Sequence, residues 1–372
     1  MTMLFESQAQ KYEFISRQHG GYYRHDFIDH AYLYNLYFPP EAVFSCFKQN
    51  IHDIVLNYPI AQDALAGLIS TLIDQPAERI VVGNGASELI KIVSGHLSSK
   101  LIVPVPSFNE YVNAAPPDRV VEFPLEFPSF HLDVDKFVSE AIRVKADVAI
   151  VVTPNNPTSM LIPRADIVDI AQKLAPYDCM LIVDESFIDF AQNPDQTTLE
   201  HDIAQYPNMA IFKSMSKAYG ICGLRIGYML TANLEFAESV RKGIHIWNIN
   251  GFAEEFLRIL PDYQQAFAES CKQVRADRDK LYCNLCAIPG MTVYKPDANF
   301  VFCRLPDDAE NAPEITRRLF IKHNMYIKDC QGKTLNDSDR YIRIASRTET
   351  ENCALVDALI SVINSKKMGI PL

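Results

Sequence analysis

The feature that most limits the fold is an alternation in the middle of the chain. Short runs that are apolar throughout recur there, separated by stretches with helical spacing. Ile80-Val81-Val82 stops at Gly83-Asn84-Gly85, and Ala86–Leu97 then carries Leu89, Ile90, Val93 and Leu97 at helical intervals. Leu101–Val105 is a second apolar run, Val148–Val152 a third ended by Thr153-Pro154, and Met180–Val183 a fourth ended by Asp184. Arg164–Leu174 has helical periodicity, and Ala210–Phe212 and Ile226–Leu230 continue the strand series. A strand that is apolar on both faces must be covered on both faces, and intervening helices supply the cover. The pattern predicts an α/β layer fold around a mostly parallel sheet.

The last third changes character. Glu254–Leu285 reads as helix, followed by Met291–Tyr294, Phe300–Arg304 and Tyr341–Ile344 as strands, with helices at Glu314–His323 and Thr350–Ile363. Segregated strands and helices suggest a smaller α+β domain, and 372 residues are enough for two domains. The first part of the chain, ending near Pro39-Pro40, shows no helix–sheet unit. The expected division is an arm over 1–48, a large domain over 49–253 and a small domain over 254–372.

Charge narrows the partners. The formal net charge is −11, which gives no electrostatic footprint for nucleic acid or an anionic membrane. Apolar runs stay short of the ~18 residues a membrane span needs. The start, Met1-Thr2-Met3-Leu4-Phe5-Glu6, lacks the pattern of an export leader. An odd count of nine cysteines in a long chain points to reduced thiols in the cytoplasm. Cys283 and Cys286 form a C-x-x-C, but on a helix and with no second pair to complete a zinc site.

Chemistry concentrates in Ser214-Met215-Ser216-Lys217-Ala218-Tyr219-Gly220-Ile221-Cys222-Gly223-Leu224-Arg225-Ile226-Gly227-Tyr228. A lysine flanked by hydroxyls and followed by an arginine in a glycine-punctuated loop suits a Schiff base to an aldehyde whose phosphate is held nearby. The turn Gly83–Glu88 offers free backbone N–H groups at a helix start, a favourable place for an anion.

The long string resembles the cofactor-lysine motif of the class I/II, fold-type I aminotransferase family, which depends on pyridoxal 5'-phosphate. Other segments agree in the family's order. Gly83-Asn84-Gly85-Ala86-Ser87-Glu88 resembles its phosphate turn, Thr153-Pro154-Asn155-Asn156-Pro157-Thr158 its Asn-Pro turn, and Val183-Asp184-Glu185-Ser186-Phe187 its ring-nitrogen strand end. The resemblance implies a large domain with a mostly parallel seven-stranded sheet plus a smaller α+β domain. It implies that Lys217 holds the cofactor and that Gly85, Ala86, Ser87, Ser214, Ser216 and Arg225 surround its phosphate. Asn156 would donate to the 3-oxygen and Asp184 pair with the ring nitrogen, where a carboxylate favours the protonated, electron-withdrawing ring. Pro106–Tyr111 puts Phe108 against the ring face. Asn57-Tyr58-Pro59 puts Tyr58 on the phosphate of a neighbouring subunit's cofactor, and so implies a homodimer with shared active sites. Arg343, in Arg340–Thr348, falls at the substrate-carboxylate position, and Lys328 is the candidate for the substrate's own phosphate.

Two branches of the family are close. Pro154–Thr158 and Ser216–Gly220 resemble histidinol-phosphate aminotransferases. His19-Gly20-Gly21, Trp247-Asn248-Ile249-Asn250, Ile327–Cys330 and Ile344–Thr348 resemble threonine-phosphate decarboxylases. Phe187 stands where the aminotransferase branch usually has Tyr, and Asn35 lies outside the usual polar signature of the arm. The expected function is an aminotransferase for a small phosphorylated or phosphonate amino compound, that chemistry being the commoner in the wider family. A phospho-amino-acid decarboxylase is the alternative. A non-catalytic cofactor sensor bound to DNA would need a basic surface that a net charge of −11 does not offer.

Overall fold

The computed structural model describes residues 5–367, so Met1-Thr2-Met3-Leu4, part of the segment read for a leader, lies outside the described residues. The chain forms two compact units. One comprises Tyr34–Asn156 and Met160–Gln273; the other comprises the described residues up to Leu33, Pro157–Ser159 and the described residues from Val274 on.

In the first unit, seven strands form one sheet in the order Ile80–Asn84, Ile226–Thr231, Met209–Ser214, Met180–Asp184, Val148–Val152, Leu101–Val105 and Val120–Pro124. Ile226–Thr231 is antiparallel to both neighbours, and the remaining pairs are parallel. Alternate residues of each strand enter opposite cores. Val82, Ile102, Val151, Val183 and Ile211 pack with Leu65, Phe137 and Ile167 on one face. Val81, Val103, Ile150, Ile182 and Phe212 pack with Leu89, Ile90 and Val240 on the other. This two-sided burial is why the strands are apolar throughout. The edge strand Val120–Pro124 escaped the sequence reading because it is only part-buried and carries Glu122.

Two helices differ from expectation. Glu254–Leu285 is not continuous: Gly251–Ile259 and Gln264–Cys286 are separated by a 3₁₀ turn, Leu260–Tyr263, that contains Pro261, which has no N–H for the helical ladder. Ala86–Leu97 is α-helical only over Ala86–Ile90 and then widens into a π-helix, Lys91–Leu97.

The units divide at Leu33 and Gln273 rather than at 48 and 253. Helix Glu41–Leu56 packs on helix Gly251–Ile259, with Phe47 and Phe252 edge to face at 5.7 Å, so both stay with the larger unit.

In the second unit the sheet order is Lys328–Asp329, Tyr341–Ala345, Phe300–Arg304, Thr292–Val293, all antiparallel. Val301, Cys303, Ile342 and Ile344 pack one face onto helices Ala312–His323 and Glu349–Lys367. The start of the chain is more ordered than its sequence suggests. Helix Gln8–Ser16 is capped by the Ser7 side chain, and Ile28–Asp29 pairs in parallel with Met325–Tyr326. Ile15, Tyr22, Phe320 and Tyr326 bury this segment against the unit. Among the described residues no helix is long and apolar enough to cross a membrane.

Candidate active site

Strand register brings the chemically interesting residues of the larger unit together. Asp184 ends one parallel strand and lies opposite Val152, four residues before Asn156; the neighbouring strand runs on to Ser214 and the short helix Met215–Ala218 that carries Lys217. Ser214 lies opposite Gly227, and Asn84 opposite Ile226. The same sheet edge therefore presents Asp184, Asn156, Lys217, Arg225 and the Gly85–Ser87 turn. Side chains at the carboxyl ends of parallel strands are the usual place for a ligand in such sheets.

Arg225 organises an anion cradle. Its backbone is left-handed at φ +60°, and its carbonyl accepts from the Gly85 N–H at 2.9 Å. Its guanidinium donates to Ser216 Oγ at 3.3 Å and to Ser87 Oγ at 3.2 Å. A Cβ on Gly85 would stand 2.4 Å from Arg225 Nη2, and Gly85 itself has φ +68°. Glycine here lets the guanidinium lie across the turn. Ser214 is tied in by its N–H, which donates to Ser186 Oγ at 3.0 Å.

Asp184 is buried, and its two oxygens are used. One accepts from the Tyr111 hydroxyl at 2.8 Å, the other from the Ser186 N–H at 2.9 Å. Burial pushes its carboxyl up, against the pull of Ser186, Tyr111 and the nearby Lys217. Burial, and then Asp184, push the Tyr111 phenol well above its ordinary value, so it remains a hydrogen-bond donor. Tyr111 ends the segment Pro106–Tyr111, and nothing in its polar neighbours Asn109 and Glu110 marks it as the partner of Asp184. Phe108 is half-buried, edge-on to Tyr111 at 6.4 Å. Asn156 is buried, and its neighbour Asn155 joins the same strand ends through Ser107 Oγ and the Pro106 carbonyl.

The Lys217 loop is clamped by Asn35. The Asn35 N–H donates to the Lys217 carbonyl at 2.9 Å, and its amide donates to the Ala218 carbonyl at 2.9 Å and to Ser270 Oγ at 2.7 Å. A Cβ on Gly220, at φ +62°, would meet the Phe38 carbonyl at 2.1 Å. Asn35 thus holds backbone next to the lysine. Behind the strand ends, Lys213 pairs with Asp189 at 3.2 Å and Glu200 at 3.7 Å in the interior.

Tyr58 does not join the cradle within the chain. It is 76% exposed and stacks on Trp247 at 4.2 Å.

The smaller unit gathers a second set. Arg343 and Lys328 are directly opposite across an antiparallel pair, so their side chains share a face. Arg343 Nη2 donates to the Ala31 carbonyl at 2.7 Å, and its guanidinium lies 5.6 Å from the Phe300 ring. Arg347 Nη1 donates to the Asp29 carbonyl at 3.0 Å, and His30 Nδ1 is 3.0 Å from the Ala345 carbonyl. Three consecutive arm residues thus fix the strand that carries Arg343. No sequence signal marked them, because backbone carbonyls do the holding.

The donor set suits a phosphorylated pyridine aldehyde: a cradle only glycine permits, hydroxyls and a guanidinium for an anion, a buried carboxylate and an amine. Comparison with known proteins agrees. The model of the family described as "Aminotransferase class I and II" matches residues 49–359. The chain is 39% identical over 98% of its length to a CMP-5'-(3-aminopropyl)phosphonate synthase of Streptomyces rubellomurinus, spanning 57% of that protein. It is 29% identical to the L-serine phosphate decarboxylase of Sulfurospirillum multivorans, covering 91% of this chain and 89% of the relative. The solved histidinol-phosphate aminotransferase of Clostridium acetobutylicum superposes with a TM-score of 0.82 at 28% identity, over 91% of this chain and 99% of that one. This chain belongs to the aminotransferase class I and II family, a family of pyridoxal-phosphate enzymes with the fold-type I architecture.

Proposed function

We propose that this chain binds pyridoxal 5'-phosphate and acts at the α-carbon of a small amino acid bearing a phosphate or phosphonate group. The observation that carries this reading is the convergence of Gly85–Ser87, Ser216 and Arg225 beside Lys217 and Asp184. When bound, the cofactor supplies an electron sink for a broken bond at that carbon. The protein's own residues do the rest. The Gly85–Ser87 backbone, Ser87, Ser214, Ser216 and Arg225 receive the cofactor's phosphate. Asp184, held by Tyr111 and Ser186, keeps a negative charge for the ring nitrogen, Asn156 donates to the ring oxygen, and Phe108 covers the ring face. The Lys217 amine is the covalent anchor and, once released, the acid and base that moves a proton. Arg343 binds a substrate anion as a fork, with Lys328 on the same sheet face.

Which bond breaks depends on which one stands perpendicular to the ring. Loss of the carboxyl group as CO₂ is the reading favoured here. Phe187 takes the place of the aminotransferase tyrosine, and the S. rubellomurinus relative is named for a product with an amine, a phosphonate and no carboxyl group. Transamination is the second reading, favoured by the likeness to the C. acetobutylicum aminotransferase. O-phosphoserine, O-phosphothreonine and histidinol phosphate, each with and without 2-oxoglutarate, separate the two. CO₂ release from O-phosphoserine or O-phosphothreonine without the keto acid is expected; glutamate formed only in its presence, from any of the three, establishes transamination instead. The purified protein is expected to absorb at about 400–430 nm, and Lys217→Ala to lose that band on dialysis against an amine. A band that survives would place the anchor on another lysine.

The working form is proposed to be a cytoplasmic homodimer. Helix Glu41–Leu56 leaves Phe44, Ile51, Val55 and Leu56 between 42% and 77% exposed, and Tyr58, Ile246 and Trp247 extend the apolar surface. An uncovered face of this kind suits a second copy of the chain.

A further inference from the structure

We propose that Lys213 is a positioning residue for the cofactor: its buried ammonium keeps the strand end that carries Lys217 at a set spacing from Asp184. This rests on the reading that pyridoxal phosphate is held between those two residues.

Lys213 comes just before Ser214 and the helix Met215–Ala218 that carries Lys217. Successive strand residues face opposite sides of a sheet, so its side chain turns away from those of Phe212 and Ser214. It lies directly opposite Tyr228 across the antiparallel pair. Its ammonium is 3.2 Å from Asp189 Oδ1 and 3.7 Å from Glu200 Oε2. The Lys213 and Glu200 side chains are only 9% and 7% exposed, and that of Asp189 14%. The Tyr228 hydroxyl donates to the other Glu200 oxygen.

Both carboxylates are fastened to the segment of Asp184. Asp189 follows it closely in the chain, on the 3₁₀ turn Ile188–Phe190. Glu200 is tied in through Glu185, the residue after Asp184. Glu185 accepts from the Leu199 N–H at 2.9 Å and from the Thr198 hydroxyl, and the Glu200 N–H donates to Thr198 Oγ at 3.2 Å. At the strand ends themselves, the Glu185 N–H donates to the Phe212 carbonyl at 2.8 Å, beside the Ser214 N–H on Ser186 Oγ. The segments bearing Asp184 and Lys217 are thus joined by hydrogen bonds at the strand ends and by the Lys213 ion pairs behind them.

Burial favours the neutral amine at Lys213, but Asp189 and then Glu200 outweigh it and hold its pKa well above the ordinary lysine value. Taking such charges out of water costs free energy, and apolar side chains of similar volume often fill an interior as well or better. Stability alone does not call for this arrangement. An ammonium between two carboxylates adds a preferred distance and direction. A pyridine ring is rigid. Anchored on Lys217 and with its nitrogen on Asp184, it keeps both grips only while the two segments hold one spacing.

Lys213→Met alone would strand the Asp189 and Glu200 carboxylates in the interior. The main variant is therefore the neutral triple Lys213→Met, Asp189→Asn, Glu200→Gln, beside Lys213→Arg. Pyridoxal phosphate affinity is read by absorbance titration of apoprotein, and backbone amide exchange by mass spectrometry of holoenzyme. The triple variant is expected to bind pyridoxal phosphate about tenfold more weakly. Its exchange is expected to quicken in peptides covering residues 184–190 and 212–218, with 101–105 and 148–152 unchanged. Lys213→Arg, which keeps the charge, is expected to stay within about threefold of wild type in affinity. Exchange that quickens uniformly over all peptides overturns the proposal, because the ion pairs then serve stability alone. A loss in Lys213→Arg as large as in the triple variant overturns it too. If wild-type apoprotein takes up no pyridoxal phosphate, the functional reading fails and this assignment with it. If wild type takes it up and the triple variant binds it equally well, the Lys213 assignment alone fails.

Discussion

Asp184 shows how one carboxylate is prepared for a task. Buried carboxylates normally take up a proton, and burial does push this one up. Tyr111 and the Ser186 N–H counter that by donating to the charged form. Tyr111→Phe is therefore expected to weaken the hold on the ionised carboxylate by about 1.5–3 kcal/mol. The measurable consequence is lower affinity for pyridoxal phosphate in an absorbance titration of apoprotein. Unchanged affinity would show that the phenol serves packing alone. The segments of Asp184, Asn156, Lys217 and Arg225 stand out in the sequence through their resemblance to the family's motifs, and the sheet register brings those segments to one edge. Tyr111 and Asn35 do not stand out, because their partners lie 73 and 183 residues away along the chain.

The element that most exceeds its sequence signal is the arm. Only Ile28–Asp29 is a strand, yet the next residues reach the sheet carrying Arg343. His30 is central: its N–H donates to the Tyr326 carbonyl at 2.7 Å, and its carbonyl accepts from the Ala345 N–H at 2.8 Å. Its ring is fully buried, and Nε2 has no hydrogen-bond partner among the described residues. Burial lowers its pKa from 6.5 to about 4. The folded state keeps the ring neutral while the unfolded chain protonates, so this contribution is complete above pH 6.5 and is lost as pH falls toward about 4. The slope is at most about 1.4 kcal/mol per pH unit. His30→Asn, whose amide can replace the Nδ1–H donor, is expected to flatten the decline of urea midpoints across that window. An identical decline in the variant would remove His30 from the acid response. Nothing in the local sequence announces this role, since a two-residue strand has too few side chains to show a period.

At the scale of the whole molecule, Val55→Glu with Leu56→Glu is expected to shift sedimentation from dimer to monomer. These residues are 65% and 77% exposed in the single chain, and a carboxylate cannot be buried there without a partner. Dimers that persist would move the interface elsewhere. Organisation at this scale was only partly written in the chain. The sequence by itself determined the sheet, because strands covered on both faces must be apolar throughout, and it determined the strand-end residues that define the family. Tertiary structure alone decided where the units divide, since packing of helix Glu41–Leu56 on Gly251–Ile259 overrides a boundary drawn by composition. It alone brought the Asn35 N–H onto the Lys217 carbonyl and the Tyr111 hydroxyl onto Asp184. The physical reason is the range of the forces. Hydrophobic periodicity and turn chemistry act over a few residues and leave a trace in the chain, whereas hydrogen bonds and charge contacts across the fold depend on distances that only folding sets.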